Sequence, residues 1–314
     1  MSETTSSRFS AGAIVGALIG ATVVLLLGVI LPPPVQPAST ASFSHLRLSA
    51  KAEWATAPWH DPAGPRLVVA ACPPDIELPL KWPSVDEAIA ASYTDKGPSL
   101  LNIPRAISHE YAIAYARYLG PLRDRALSVL EIGVGCVPIM PVEGASLPFW
   151  RAYLPCAHLT WMDYDAKCVE RVEGHADAVF QGDQSSPADL DRVWTKGGPF
   201  EVVVDDGGHS ARQQITTLRT YFPRLPPGGV YVLEDLLTSF IPGLMDNVPQ
   251  AHTAHRFLSD VIAHMHQKEV RRAAGDFLPF SDPIEGTAEI ARLAVSIDCF
   301  REVCVLIRNE VKVI

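Results

Sequence analysis

"VLEIGVGC" occupies residues 129–136. A short apolar run leads into Gly133 and Gly135, which reads as a buried strand followed by a tight turn. Four runs of the same kind follow: "HLTWMDYD" from residue 158, "ADAVFQGDQ" from 176, "FEVVVDDGG" from 200 and "GGVYVLED" from 228. Between them, 146–154, 165–174, 186–194 and 209–222 have helical character. Strands alternating with helices of this length predict βαβ units and a parallel sheet. The last run, "RLAVSIDCFREVCVLIRN" from residue 292, reads as an antiparallel hairpin closing one sheet edge. The predicted fold class is therefore α/β, a doubly wound Rossmann-like sheet with a C-terminal hairpin.

Four of the five parallel-type runs stop in acids. Asp163 and Asp165 follow the second, Asp183 the third, Asp205 and Asp206 the fourth, and Glu234 and Asp235 the fifth. Ligands of open α/β sheets bind beyond the carboxyl ends of the strands, so these carboxylates are expected along one edge. Helix capping explains one acid at such a place better than four in succession. The full G-x-G-x-x-G fingerprint is absent, because position 138 is Pro. A pyrophosphate on a helix N-terminus is thus poorly supported. Asp163 instead sits where ribose hydroxyls are bound, and Asp183 where an adenine amino group is accepted.

Glu131-x-Gly133-x-Gly135, the Asp163 strand end and "GDQ" (182–184) together resemble class I S-adenosylmethionine-dependent methyltransferases. Other stretches sharpen the likeness. "YTDKG" (93–97), "HEY" (109–111), "YLGPLR" (118–123), "DDGGHS" (205–210), "YVLEDLLTSF" (231–240) and the closing hairpin are similar to the macrolide-sugar O-methyltransferases of the mycinamicin and tylosin pathways. The likeness covers residues 93–240 and 295–309. It implies S-adenosyl-L-methionine held by Glu131, Gly133, Gly135, Asp163, Asp183, Gln184 and Asp205. It also implies magnesium on Asp206, Glu234 and Asp235, with His209 as general base. Magnesium prefers hard oxygen ligands, and an imidazole can take the proton of an attacking hydroxyl. Gly208 departs from the family's usual Ser, and "CVPIMPVEGASLPFW" (136–150) is longer than expected after the glycine turn.

The N-terminal region lies outside that pattern. "AGAIVGALIGATVVLLLGVIL" (11–31) carries no charge and is long enough for a transmembrane signal-anchor helix. It follows a short tail, 1–10. Residues 32–83 are rich in proline and read as an extended stem, which leaves 84–314 for the methyltransferase domain. Arg8 before the span leans the topology toward type II, with the domain lumenal in the Golgi or endoplasmic reticulum. The acceptor expected there is a hydroxyl of a small molecule or glycan, not the macrolide itself. A formal net charge of −9 with no basic block argues against nucleic acid.

An anchor and stem also suit a type II glycosyltransferase, with Asp163-Tyr164-Asp165 as a D-x-D. A non-catalytic methyltransferase-like domain is a third reading. Tyr111, Tyr115 and Tyr118 read as packing residues on one helical face. "HTAHRFLSDVIAHMHQKEV" (252–270) reads as an amphipathic helix on Phe257, Val261, Ile262 and Met265, despite its four histidines. The six cysteines show no zinc spacing. Cys299 and Cys304 can face each other across the hairpin, and buried free thiols are the alternative.

Overall fold

A computed structural model describes residues 67, 69–97, 109–136, 142–242, 252–270 and 284–309. All belong to one folded unit, Pro65–Ile314. The predicted anchor, 11–31, lies outside the described residues. Among the described residues, no helix is long and apolar enough to cross a membrane.

Seven strands form one sheet in the order β3-β2-β1-β4-β5-β7-β6. They are β1 (Ser128–Ile132), β2 (His158–Asp163), β3 (Ala178–Gln181), β4 (Val202–Asp205), β5 (Val230–Leu233), β6 (Ala294–Cys299) and β7 (Cys304–Arg308). The first five run parallel, and the β6–β7 hairpin joins β5 antiparallel. Register aligns Ile132 with Asp205, and Asp205 with Leu233. The ends of β1, β4 and β5 therefore finish level, which brings their terminal acids together.

Successive strand residues face opposite sides of the sheet. Val129, Val202, Val204, Val230 and Val232 pack on one side with α1 (Val85–Ala90), α2 (Ala112–Tyr118), α3 (Leu147–Tyr153) and α4 (Ala166–Val172). Leu130, Val203, Tyr231 and Leu233 pack on the other with α5 (Pro187–Gly197), α6 (Ala211–Tyr221), α7 (Ala254–Val270) and α8 (Thr287–Leu293). Helices on both faces make the sheet doubly wound. In α7, Phe257 and Val261 are fully buried, as the amphipathic reading expects.

The helix starts explain several acids and hydroxyls. Ser210 caps α6 and forms a capping box with Gln213. Asp165 caps α4, accepting from Lys167 N and Cys168 N. The domain begins earlier than position 84. Cys72 N–H donates to Asp124 O and Ala126 N–H to Ala70 O, and Cys72 is bridged to Cys156. Prolines at 73, 74, 79 and 83 made this stretch read as stem, yet it is sewn to the domain by backbone bonds and a disulfide.

Candidate active site

The glycine turn after β1 touches the end of β4. Gly133 has φ +91°, and a Cβ there would lie 1.9 Å from the Asp206 carbonyl oxygen. Only glycine permits that approach. Gly135 also has positive φ. Val134 N–H donates to Asp163 Oδ2 at 2.9 Å, which ties the turn to the end of β2. Asp163 Oδ1 accepts from Asp165 N, and Asp183 Oδ1 accepts from the amide and hydroxyl of Ser185. Gly133, Gly135, Asp163 and Asp183 are all half-buried along the strand ends. A disulfide between Cys136, beside the turn, and Cys168, in α4, closes this corner.

Glu131, Gln184 and Asp205 point inward instead. Glu131 Oε2 accepts from Ser146 Oγ at 2.7 Å and Trp161 Nε1 at 2.8 Å. Asp205 accepts from Tyr231 OH at 2.7 Å and from the Gln184 amide. Gln184 Oε1 in turn accepts from Gly208 N. Asp205 is one of the residues the resemblance assigns to the cofactor, and its side chain is spent on protein partners. It has the parity of Val203, so it lies on the α5–α8 side, where burial pushes its carboxyl up to about 7 against the opposing effect of Tyr231 and His209.

The same alternation sends Asp206 and Glu234 to the α1–α4 side, where they meet Lys96. The Lys96 ammonium is 1% exposed and lies 2.6 Å from Asp206 Oδ2, 2.7 Å from Glu234 Oε2 and 3.5 Å from Glu131 Oε1. Burial alone would lower its pKa, but Asp206, Glu234 and Glu131 hold it well above the usual range. Glu234 is fully buried and also accepts from Tyr115 OH. The three acids expected around a cation are therefore divided. Glu234 is committed to Lys96, while Asp206, His209 and Asp235 offer ligand atoms all within 4.8 Å of one another.

Within that trio, His209 Nε2 lies 3.1 Å from Asp235 Oδ2 and 3.9 Å from Asp206 Oδ1. His209 Nδ1 is buried without a hydrogen-bond partner. The two carboxylates supply oxygen donors that suit a hard divalent cation, and the imidazole nitrogen stands beside them. Burial would raise the Asp235 carboxyl, but His209, His109 and Tyr111 hold it below the ordinary carboxylate range. Gly208 adjoins Gln213; a Cβ there would lie 2.2 Å from its amide nitrogen.

The tyrosines do more than pack. Tyr111 OH donates to Asp235 Oδ1 at 2.8 Å, and Tyr118 OH donates to Asp298 Oδ2 at 2.8 Å. Asp165 is spent on the α4 cap and both Asp163 oxygens accept backbone N–H groups. A D-x-D metal pair thus finds no support at 163–165.

No protein-family model matches the chain. It is 34% identical over 226 residues to 8-demethyl-8-alpha-L-rhamnosyl tetracenomycin-C 2'-O-methyltransferase of Streptomyces olivaceus, covering 69% of this chain and 57% of that protein. It is 35% identical over 135 residues to mycinamicin VI 2''-O-methyltransferase of Micromonospora griseorubida, covering 43% and 33%. The MycE methyltransferase of the mycinamycin biosynthetic pathway, solved in complex with Mg and SAH, superposes with a TM-score of 0.59 at 28% identity over 73% of this chain and 55% of that one.

The chain has the class I methyltransferase fold. Its similarity to sugar O-methyltransferases runs through both sequence and structure, and the matches span 57%, 33% and 55% of the length of these three proteins. Lys96 is a site residue that sequence reasoning did not single out. One signal for it was available: three acids converging at level strand ends require a counter-charge.

Proposed function

We propose that the protein is an S-adenosylmethionine-dependent O-methyltransferase acting on a hydroxyl of a sugar unit, in a small molecule or a glycan. The observation that carries this reading is the trio Asp206, His209 and Asp235, whose Asp206 carbonyl abuts Gly133. The similarity to sugar O-methyltransferases supports the reaction type. Gly133, Gly135, Asp163 and Asp183 lie where a nucleoside would be held along the strand ends, with Glu131, Gln184 and Asp205 buttressing that edge from within.

The transfer is a displacement at a methyl carbon. The acceptor oxygen forms a bond to the methyl group as the carbon–sulfur bond breaks, and the sulfonium leaves as a neutral thioether. His209 takes the hydroxyl proton at Nε2, the ring nitrogen on the carboxylate side. That nitrogen lies 3.1 Å from Asp235 Oδ2 and 3.9 Å from Asp206 Oδ1, and these carboxylates orient the ring. Asp206 and Asp235 would hold magnesium, which when bound lowers the pKa of a coordinated hydroxyl. Lys96 keeps Glu234 neutralised and fixes one oxygen of Asp206, so the remaining oxygens are set before substrate arrives.

We also propose that residues 11–31 anchor the enzyme, with the catalytic domain on the lumenal side in the secretory pathway. All six cysteines are paired, as Cys72–Cys156, Cys136–Cys168 and Cys299–Cys304. Such pairing is characteristic of oxidising compartments and supports that side of the membrane.

Isothermal titration of the full-length chain in detergent tests the reaction class. S-adenosylhomocysteine is expected to bind without added metal, and UDP is expected to give no heat. Tight UDP binding with manganese, and none of S-adenosylhomocysteine, would refute the methyltransferase reading.

A further inference from the structure

The geometry points to His109 and Glu302 as positioning residues that clamp Asp235, and through it set the face His209 turns to a cation. The inference rests on the reading of Asp206, His209 and Asp235 as the cation and base site. Asp235 follows β5 with φ +55°, a left-handed backbone conformation that non-glycine residues keep only when their surroundings over-determine it. Its surroundings do so. His109 Nε2 lies 3.3 Å from Asp235 Oδ1, and Tyr111 OH donates to the same oxygen at 2.8 Å. With Oδ1 occupied, Oδ2 is the oxygen left facing His209.

His109 is itself held from behind. Its Nδ1 lies 2.8 Å from Glu302 Oε2, and its ring stacks on Tyr111 with centroids 4.9 Å apart. Both ring nitrogens face carboxylate oxygens, so both serve as donors. Glu302 is joined to the same strand end a second time, because its carbonyl accepts from Leu236 N–H at 2.9 Å. Among the described residues, the non-glycine positions with positive φ are His209, Asp235 and Glu302, and all three lie in this one string.

Glu302 stands in the turn between β6 and β7, which the Cys299–Cys304 disulfide closes. The string therefore runs from a cross-linked turn through Glu302, His109 and Asp235 to His209. Neither His109, with a side chain 16% exposed, nor Glu302, at 31%, fills the core. Their contacts converge on Asp235.

The test is titration of the full-length chain with Mn2+ and, separately, with S-adenosylhomocysteine. Glu302→Ala and His109→Ala are each expected to weaken Mn2+ binding by about tenfold or more, the usual effect of removing a group that orients a metal ligand. The double variant should fall within about twofold of the weaker single one, because both act through one contact. S-adenosylhomocysteine affinity should stay within about twofold throughout, which also reports a folded domain. Glu110→Ala removes the same charge from an exposed neighbour of His109, ion-paired to Arg301; it should leave Mn2+ binding unchanged. Opening the turn with Cys299→Ser and Cys304→Ser should weaken Mn2+ binding without altering any side chain of the string, and serves if Glu302→Ala does not fold. Unchanged Mn2+ affinity in the Glu302 and His109 variants, an equal loss in Glu110→Ala, or no Mn2+ binding by the wild type would each overturn the clamp. Failure of the wild type to bind S-adenosylhomocysteine would instead overturn the methyltransferase reading beneath it.

Discussion

Replacing Lys96 by Met is expected to destabilise the domain more as pH rises. The side chains are nearly the same size, so the change removes a charge and leaves little cavity. What remains is a group of three buried or half-buried acids: Glu131, Asp206 and Glu234. At an effective dielectric near 20, each of the two short contacts is worth about 6 kcal/mol before desolvation. The cost of burying the ions offsets much of that, and removing one partner of such a pair typically costs about 3–5 kcal/mol. For a domain of this size that corresponds to a melting temperature lower by about 6–20 °C.

The pH dependence follows from Glu234. Burial pushes its carboxyl up to about 7, with Lys96 opposing the rise. A folded-state pKa above the unfolded value means that the folded form binds more protons between the two. That stability is present in acid and is lost as pH climbs through the folded pKa. Without Lys96 the rise is larger, so the Lys96→Met penalty should be smaller near pH 5.5 than near pH 8. Differential scanning calorimetry of both proteins at the two pH values measures this. A variant melting within about 2 °C of wild type at both would show that the ammonium is not the counter-charge of these acids.

Two further outcomes follow from the strand ends. Gly133→Ala places a Cβ 1.9 Å from the Asp206 carbonyl oxygen at φ +91°, and should cost about 1–3 kcal/mol or more in denaturant unfolding while weakening S-adenosylhomocysteine binding. Asp205, pushed up to about 7 by burial, should make wild-type stability fall as pH rises from about 4 to about 7. Asp205→Asn should flatten that slope by up to about 1.4 kcal/mol per pH unit, and equal slopes in urea unfolding would count against it.

The strands and their acidic ends were legible because apolar runs ending in glycine or aspartate are local patterns. The convergence of Asp206, His209 and Asp235 was legible too, since β4 and β5 are neighbours. Sequence divides Asp205 from Asp206, as cofactor and metal residues, but does not show what each side chain touches. Asp205 and Asp206 differ only in parity, and parity puts one beside Tyr231 and the other beside Lys96. Glu234 and Asp235 differ because the backbone at Asp235 turns left-handed, which no residue type at that position signals. Lys96 lies 110 residues from Asp206 and 138 from Glu234, and Glu302 lies 193 from His109. Partners so remote leave no spacing to read. The tyrosines were read as packing because periodicity reports which face is buried, not what the hydroxyl at its edge touches.

The bridges Cys72–Cys156 and Cys136–Cys168 overlap along the chain. Covalent continuity around the site thus does not depend on an unbroken backbone. A protease cut between Lys96 and His109 would divide the segments that serve the carboxylates, yet Cys72–Cys156 would keep both pieces joined. The nicked protein should run as one species on a non-reducing gel and as two after reduction. Its inactivation by proteolysis would then be governed by reduction as much as by cleavage.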